Sequence, residues 1–278
     1  MVEPGAMNRL MVVKQVDAGV FVDGENLGRI LLPQRVVPAN CGLGAMVEVF
    51  VHYDQEGRLL ATTKRPLALP GECAYLKVVK LTSEGALMEW GLTHPLLAPT
   101  AEQRQLMDEG KSYLVKVLLE AKQGRIIATS RVDRHLDQLP IDYTVGQEVD
   151  LLIGPHTDLG YKAIVNHAHW GVLYENEVFQ PLKKGQRLTG FIKKVREDQK
   201  LDLCLQKPGY EQVDTLAERI LDQLKQHGGA MPVNDKTAPE LIYQWFGVSK
   251  KSYKKAIGAL YKKKIISLDE NGIRLLGG

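Results

Sequence analysis

Residues 44–66 read GAMVEVFVHYDQEGRLLATTKRP, and the same plan returns as GKSYLVKVLLEAKQGRIIATSRV at 110–132 and GQRLTGFIKKVREDQKLDLCLQKPG at 185–209. Each copy starts with glycine (Gly44, Gly110, Gly185) and continues with alternating apolar residues, the period-two signal of a half-buried strand. Each then turns at a polar knot: Asp54-Gln55-Glu56-Gly57, Ala121-Lys122-Gln123-Gly124 and Glu197-Asp198-Gln199-Lys200. Each ends in a second alternating strand, Leu59 to Thr63, Ile126 to Ser130 and Leu201 to Leu205. Gly57-Arg58 and Ala61-Thr62 recur as Gly124-Arg125 and Ala128-Thr129. The copies start 66 and then 75 residues apart (44 to 110, 110 to 185).

Ahead of each hairpin lies a stretch that also reads as strands: RLMVVKQVDAGVFVDGENLGRILLP, CAYLKVVKLTSEGALMEWGLTHPLLAP and VDLLIGPHTDLGYKAIVNHAHWGVLYEN. Three short strands with glycine turns plus the two of the hairpin make five, the plan of a small Greek-key barrel. The first three quarters therefore predict tandem OB-type barrels at residues 1–66, 67–139 and 140–208.

Residues 209–278 change character. EQVDTLAERILDQLKQH (211–227) places Val213, Leu216, Ala217, Ile220 and Leu224 at helical spacing, and Gly228-Gly229 stop it. TAPELIYQWFG (237–247) offers Thr237 and Glu240 as a capping box, Pro239 in the first turn and Gly247 as stop. SKKSYKKAIGALYKKK (249–264) has Ser249 as N-cap, and IISL and IRLL flank Asn271-Gly272, a hairpin-turn signal. Three helices and a β-hairpin predict a winged helix-turn-helix. The fold class is thus mostly β with a small α+β domain.

The stretches GVFVDGENLGRILLP and GYKAIVNHAHWGVLYENEV resemble the S1-type OB-fold pattern, a glycine and an aromatic on strand two, then a glycine and an apolar pair on strand three. The match is loose in the second unit, where Gly85-Ala86-Leu87 lacks the aromatic. Three such units followed by PELIYQWFGVSKKSYKKAIGALYKKKII resemble, over almost the whole chain, the conserved virulence factor B family of bacterial S1-like RNA-binding proteins. That resemblance implies RNA binding and an effect on gene expression, without catalysis.

Charge is distributed to match. Residues 1–208 carry 25 Lys+Arg against 25 Asp+Glu, and residues 209–278 carry 11 against 8, so the net +3 lies in the last quarter. On the third helix, Tyr253, Ala256, Ile257 and Leu260 share one face. Lys251, Lys255 and Lys262 lie opposite with Gly258 and Ala259 between them, flanked by Lys250, Lys254 and Lys263. A lysine face without acids suits phosphate contact rather than base reading. In the third barrel, Tyr161, Lys162, His169, Tyr174 and Lys193 are the candidates for holding bases and phosphates, because single strands are gripped by aromatic stacking beside cations. Trp170 and Phe191 read as core. The first barrel offers Phe21 with Lys14 and Arg29, the second Trp90 with Lys77 and Lys80. Both depart from the pattern and read as weaker modules.

Cys41, Cys73 and Cys204 lie far apart with no CxxC spacing, so thiols of a reducing compartment are expected rather than disulfides or a zinc site. His167 and His169 lack a third partner for a metal. The sequence holds no phosphate loop, dinucleotide fingerprint, HExxH or GxSxG, and no apolar run of about 18 residues. The expectation is a cytoplasmic, non-enzymatic protein that needs neither cofactor nor membrane. Its partner would be single-stranded RNA, bound with weak sequence specificity. The alternative partners are duplex DNA, read by the winged helix as a transcription regulator, and a protein of the expression machinery.

Overall fold

The computed structural model describes residues 1–53, 57–120, 124–178, 180–207 and 213–276, with side chains from 216 onward in the last segment. The chain divides into two compact units, residues 1–139 with 167–169, and residues 140–166 with 170–278.

The first unit holds two closed five-stranded barrels. Barrel one is built from β1 (Met7–Val16), β2 (Gly19–Asp23), β3 (Arg29–Pro33), β4 (Met46–Tyr53) and β5 (Leu59–Thr62), in the order β1-β2-β3-β5-β4. Barrel two repeats that order with β6 (Cys73–Leu81), β7 (Gly85–Met88), β8 (Leu96–Pro99), β9 (Ser112–Leu119) and β10 (Ile126–Thr129). The second unit repeats it once more with β11 (Glu148–Thr157), β12 (Gly160–Val165), β13 (His169–Tyr174), β14 (Arg187–Val195) and β15 (Leu201–Cys204). In each barrel the third and fifth strands pair in parallel, which closes the Greek key.

Two glycines per barrel explain the repeat. Gly44, Gly110 and Gly185 take φ of 82°, 82° and 85°, a left-handed backbone that side chains resist. Their N–H groups donate to the carbonyls of Val12, Val78 and Ile153 at 2.8, 2.9 and 2.8 Å. Just past these residues the first strand of each barrel has a bulge. Gly19, Gly85 and Gly160 open the second strands, and a Cβ there would stand 2.1–2.2 Å from the carbonyl oxygen of Leu32, Ala98 or Leu173. The hairpin turns at residues 54–56 and 121–123 lie outside the described residues. In the third copy Gln199 holds a left-handed φ of 57°.

The rest of the second unit is helical with a small sheet: α1 (Val213–Gln226), β16 (Ala230–Met231), α2 (Pro239–Phe246), α3 (Lys250–Lys262), β17 (Ile266–Asp269) and β18 (Gly272–Leu275). Leu216, Ala217, Ile220 and Leu224 of α1 meet Tyr253, Ala256, Ile257 and Leu260 of α3 in one core. The side chain of Val213, expected on that face, and the boundary at 208/209 fall outside what is described. Ser249 caps α3 by accepting the Ser252 N–H at 3.1 Å, and Gly247 ends α2 at φ 66°.

Two local expectations are corrected. Thr237 and Glu240 make no capping box: Ala238 stands at the N-cap of α2 without a side-chain bond, and the Thr237 hydroxyl accepts the Asn234 N–H at 2.7 Å. The preceding turn competes successfully for the hydroxyl. In the hairpin, Asp269 pairs with Gly272, so Glu270 and Asn271 form the turn and Gly272 begins β18. Glycine is required there because a Cβ would stand 1.9 Å from the Met231 carbonyl oxygen of β16.

Candidate nucleic-acid interface

The pinned glycines fix which side chains face out. Counting from Gly160, Tyr161 shares the inward parity of Ala163 and Val165, and it packs partly against the barrel core. Counting from Gly19 and Gly85, its counterparts are Val20 and Ala86, both buried. Phe21 therefore corresponds to Lys162, not to Tyr161; a one-residue offset moves a side chain to the other face. The outer edge of Tyr161 meets His156, ring centroids 4.6 Å apart.

On β13, His169, Gly171 and Leu173 are buried, while Trp170, Val172 and Tyr174 are half-buried on the outer face. Trp170 and Phe191, expected in the core, stand outside it because the inward places next to them must be glycine. A Cβ at Gly171 would stand 2.6 Å from Leu203 Cδ1, and one at Gly190 2.3 Å from Leu151 Cδ1. The Trp170 ring lies over Gly154, where a Cβ would come within 3.1 Å of it, and carries the Lys162 ammonium 4.1 Å from its centroid. Four residues along, the Tyr174 hydroxyl donates to Asp202 at 3.2 Å and accepts a hydrogen bond from Arg196. Arg196 also binds Asp202 at 2.9 Å, and Lys193 reaches to 5.9 Å from the Tyr174 ring while pairing with Glu177. Two aromatic rings with cations beside them therefore share this face of the third barrel.

His169 does not join them. It is 3% exposed, and its Nε2 meets the Leu139 carbonyl at 2.9 Å. His167 Nδ1 accepts the Cys73 N–H at 2.9 Å, so the two imidazoles serve the first unit's backbone. Among the described residues no three His, Cys, Asp or Glu side chains converge on a metal position. Trp90 is buried as well, edge-on to Phe50 at 6.0 Å and donating to the His94 carbonyl at 2.7 Å.

The lysines of α3 divide into two groups. Lys251, Lys255 and Lys262 are exposed, and none forms an ion pair among the described residues. A Cβ at Gly258 between them would meet nothing within 4 Å. Lys254 lies 3.6 Å from Asp235 and Lys250 donates to the Lys236 carbonyl at 3.2 Å. The absence of acids along the helix sequence missed Asp235, which the preceding turn supplies. Lys263 ends the helix, exposed at its C-cap.

The second unit brings barrel and helix residues to one cleft of about 730 Å³. Lys193, Gln206 and Lys207 line it from one side and Tyr243, Lys250 and Lys251 from the other. Gln206 donates to the Gly247 carbonyl. Cys204 also lines the cleft, and burial pushes its thiol pKa up to about 11. Sequence reasoning missed Arg196, Lys207 and Tyr243, whose approach depends on how the barrel meets the helices.

The description "CvfB-like winged helix domain" fits residues 218–275, and "S1 domain" fits residues 4–64. A protein named Conserved virulence factor B from Staphylococcus epidermidis (ATCC 12228) is 25% identical over 98% of this chain and 94% of its own. The chain is thus similar over nearly its whole length to proteins named Conserved virulence factor B. Another relative, YitL of Bacillus subtilis (strain 168), is 29% identical over 97% of this chain and 92% of its own. A solved multidomain protein with nucleic acid binding domains from Streptococcus pneumoniae aligns over 98% of both chains at 22% identity with a TM-score of 0.41.

The S1 match falls on barrel one, whose GVFVDGENLGRILLP stretch carries the S1-type pattern. S1-type barrels and winged helices are nucleic-acid-binding modules, and neither is a catalytic family. Among the described residues no helix is long and apolar enough to cross a membrane.

Proposed function

We propose that this protein binds single-stranded RNA with weak sequence preference and acts after transcription, on RNA stability or translation. The strand crosses the outer face of β12 and β13, with Trp170 and Tyr174 as stacking platforms. Lys162 swings from the Trp170 ring to a phosphate as a base takes its place. The Lys251–Lys255–Lys262 face of α3 holds further phosphates, with Lys250, Lys254 and Lys263 at its margins. Tyr161 borders the path by its edge. The observation that carries this reading is the pairing of aromatic rings with cations on the outer face of barrel three, in the unit that also carries the lysine face. Duplex DNA suits this arrangement less well. The turn at 234–236 brings Asp235 to Lys254 and holds the Asp269–Glu270 wing tip through Asn234, so carboxylates gather beside the third helix.

The test is fluorescence anisotropy of the full chain with labelled oligo(U), oligo(A) and a DNA duplex over a salt series. Single strands should bind tighter than the duplex, and log K should fall linearly with log salt. Replacing Trp170 and Tyr174 together by alanine should weaken binding by about tenfold or more, since stacking contributes roughly 1–3 kcal/mol per base. Lys251, Lys255 and Lys262 changed together to glutamate should flatten the salt dependence. Tighter duplex binding, or folded variants that bind like the parent, would overturn the proposal.

A further inference from the structure

We propose that Asp202 gives the Tyr174 platform a preference for guanine, by accepting hydrogen bonds from the N–H groups of the base stacked there. The inference rests on the stacking reading above and adds to it a preference confined to one nucleotide. Its starting point is the comparison of the three barrels at matching places. A Cβ at Gly19, Gly85 or Gly160 would stand 2.9 Å from the backbone of Pro33, Pro99 or Tyr174, so these three residues correspond. Two residues before them, Leu31, Leu97 and Val172 pair with Leu60, Ile127 and Asp202 of the fifth strands. Tyr174 therefore stands where the other barrels have proline, and Asp202 where they have leucine or isoleucine. The fold accepts apolar residues at both places, and barrel three alone sets a ring and a carboxylate there together.

A carboxylate on this face repels a ligand made of phosphates, yet Asp202 is held firmly in place. Its Oδ1 accepts from the Tyr174 hydroxyl at 3.2 Å and from Arg196 Nε at 2.9 Å, and its side chain is only 13% exposed. The Arg196 guanidinium offsets its charge and fixes it at the hydroxyl edge of the ring. Its other oxygen, Oδ2, accepts no hydrogen bond among the described residues. An ionised phosphodiester has no proton to give that oxygen, whereas a base stacked on Tyr174 does. Bases of a single strand leave their pairing edges open to such readout. Guanine alone carries two adjacent donors on that edge, N1–H and the N2 amino group, and bonds to a carboxylate are charge-assisted. Uracil offers one N–H between two carbonyls, and adenine and cytosine set an amino group beside a bare ring nitrogen. Each of these turns an acceptor toward an acceptor and leaves the carboxylate less well satisfied. The ribose hydroxyl is common to all four nucleotides and confers no preference among them.

The experiment measures anisotropy of the full chain with short labelled RNAs: oligo(U), and oligo(U) carrying a single guanine, inosine or adenine. Inosine keeps N1–H and lacks the amino group. The parent should bind the guanine strand about tenfold tighter than oligo(U), with the inosine strand between them. Asp202→Leu, the residue of barrel one, and the nearly isosteric Asp202→Asn should both bring that ratio close to unity. The control is Asp198→Asn, which removes a nearby carboxylate that pairs with Lys200 at 2.7 Å, and it should keep the ratio. A parent that binds all four strands equally overturns the inference and leaves the stacking reading standing. A guanine preference that survives both Asp202 variants overturns the role of Asp202, as does a variant that weakens every strand by the same factor. A parent that binds no strand overturns both readings. Thermal unfolding of each variant checks that it is folded.

Discussion

Replacing Gly258 by alanine should stabilise the helical domain and weaken nucleic-acid binding at once. Gly258 lies inside α3, its backbone is helical, and an added Cβ would meet nothing within 4 Å. Among the described residues, then, nothing offsets the helix penalty of glycine, about 1 kcal/mol against alanine. Alanine should raise the midpoint of the helical domain's thermal transition by about 4–8 °C if that transition is resolved. The opposite effect falls on the ligand. A methyl group on the bare strip sets a phosphate back by roughly 1.5 Å, one carbon–carbon bond. Moving it from about 5 to about 6.5 Å from each of three ammonium groups, at an effective dielectric of about 40, costs about 0.4 kcal/mol per lysine. The sum of about 1 kcal/mol corresponds to a loss of roughly five- to tenfold. Flexible lysine stems recover part of it, so a loss of about threefold to tenfold is expected. Circular dichroism melting and anisotropy on the same sample read both effects. A destabilised variant would mean that Gly258 answers an internal contact. A stabilised variant with parental affinity would mean that no phosphate approaches this strip.

Gly160→Ala should be severe, because its Cβ would stand 2.2 Å from the Leu173 carbonyl oxygen at a φ of 129°. A loss of about 3 kcal/mol or more in urea unfolding is expected, whereas Gly28, with open space around it, should tolerate alanine better. Cys204 should be a slow thiol despite lining the cleft. With burial raising its pKa to about 11, its thiolate is scarce at pH 8 and becomes abundant only as the pH approaches that value. Alkylation of Cys204 at pH 8, followed by mass spectrometry, should run about a hundredfold slower than that of an ordinary thiol and accelerate as the pH rises. A rate near that of free cysteine would refute the burial argument.

The barrels were legible because their determinants are local. A glycine that must be left-handed and another that must lack a Cβ recur at matching places, and alternation between them reads out the strands. The helical faces were legible for the same reason, since Leu216, Ile220, Tyr253 and Ile257 keep helical spacing and are buried. The outer face of barrel three was not. Trp170 looks like core until Leu203 is known to fill the space beside Gly171, and that contact crosses from β15 to β13. His169 looked accessible until Leu139, thirty residues earlier, claimed its Nε2. Tyr161 shares the inward parity of Ala163 and Val165, whereas Phe21 in the first copy lies on the other face. Thr237 carried a valid capping signature, but Asn234 took its hydroxyl.

The closure of each barrel on itself has a consequence for how the protein is made. The described strand pairs of barrel one lie within Met7–Thr62, those of barrel two within Cys73–Thr129 and those of barrel three within Glu148–Cys204. A nascent chain leaves the ribosome at about 5–20 residues per second, so each barrel has seconds to close before the next one follows. Neighbouring repeats are the usual source of swapped strands, and here the glycine pins recur while the side chains around them differ. Phe50 packs in the second barrel's core cluster, for example, while its counterpart in the second copy is Lys116. Order of synthesis and divergence of the cores together favour each strand finding its own barrel.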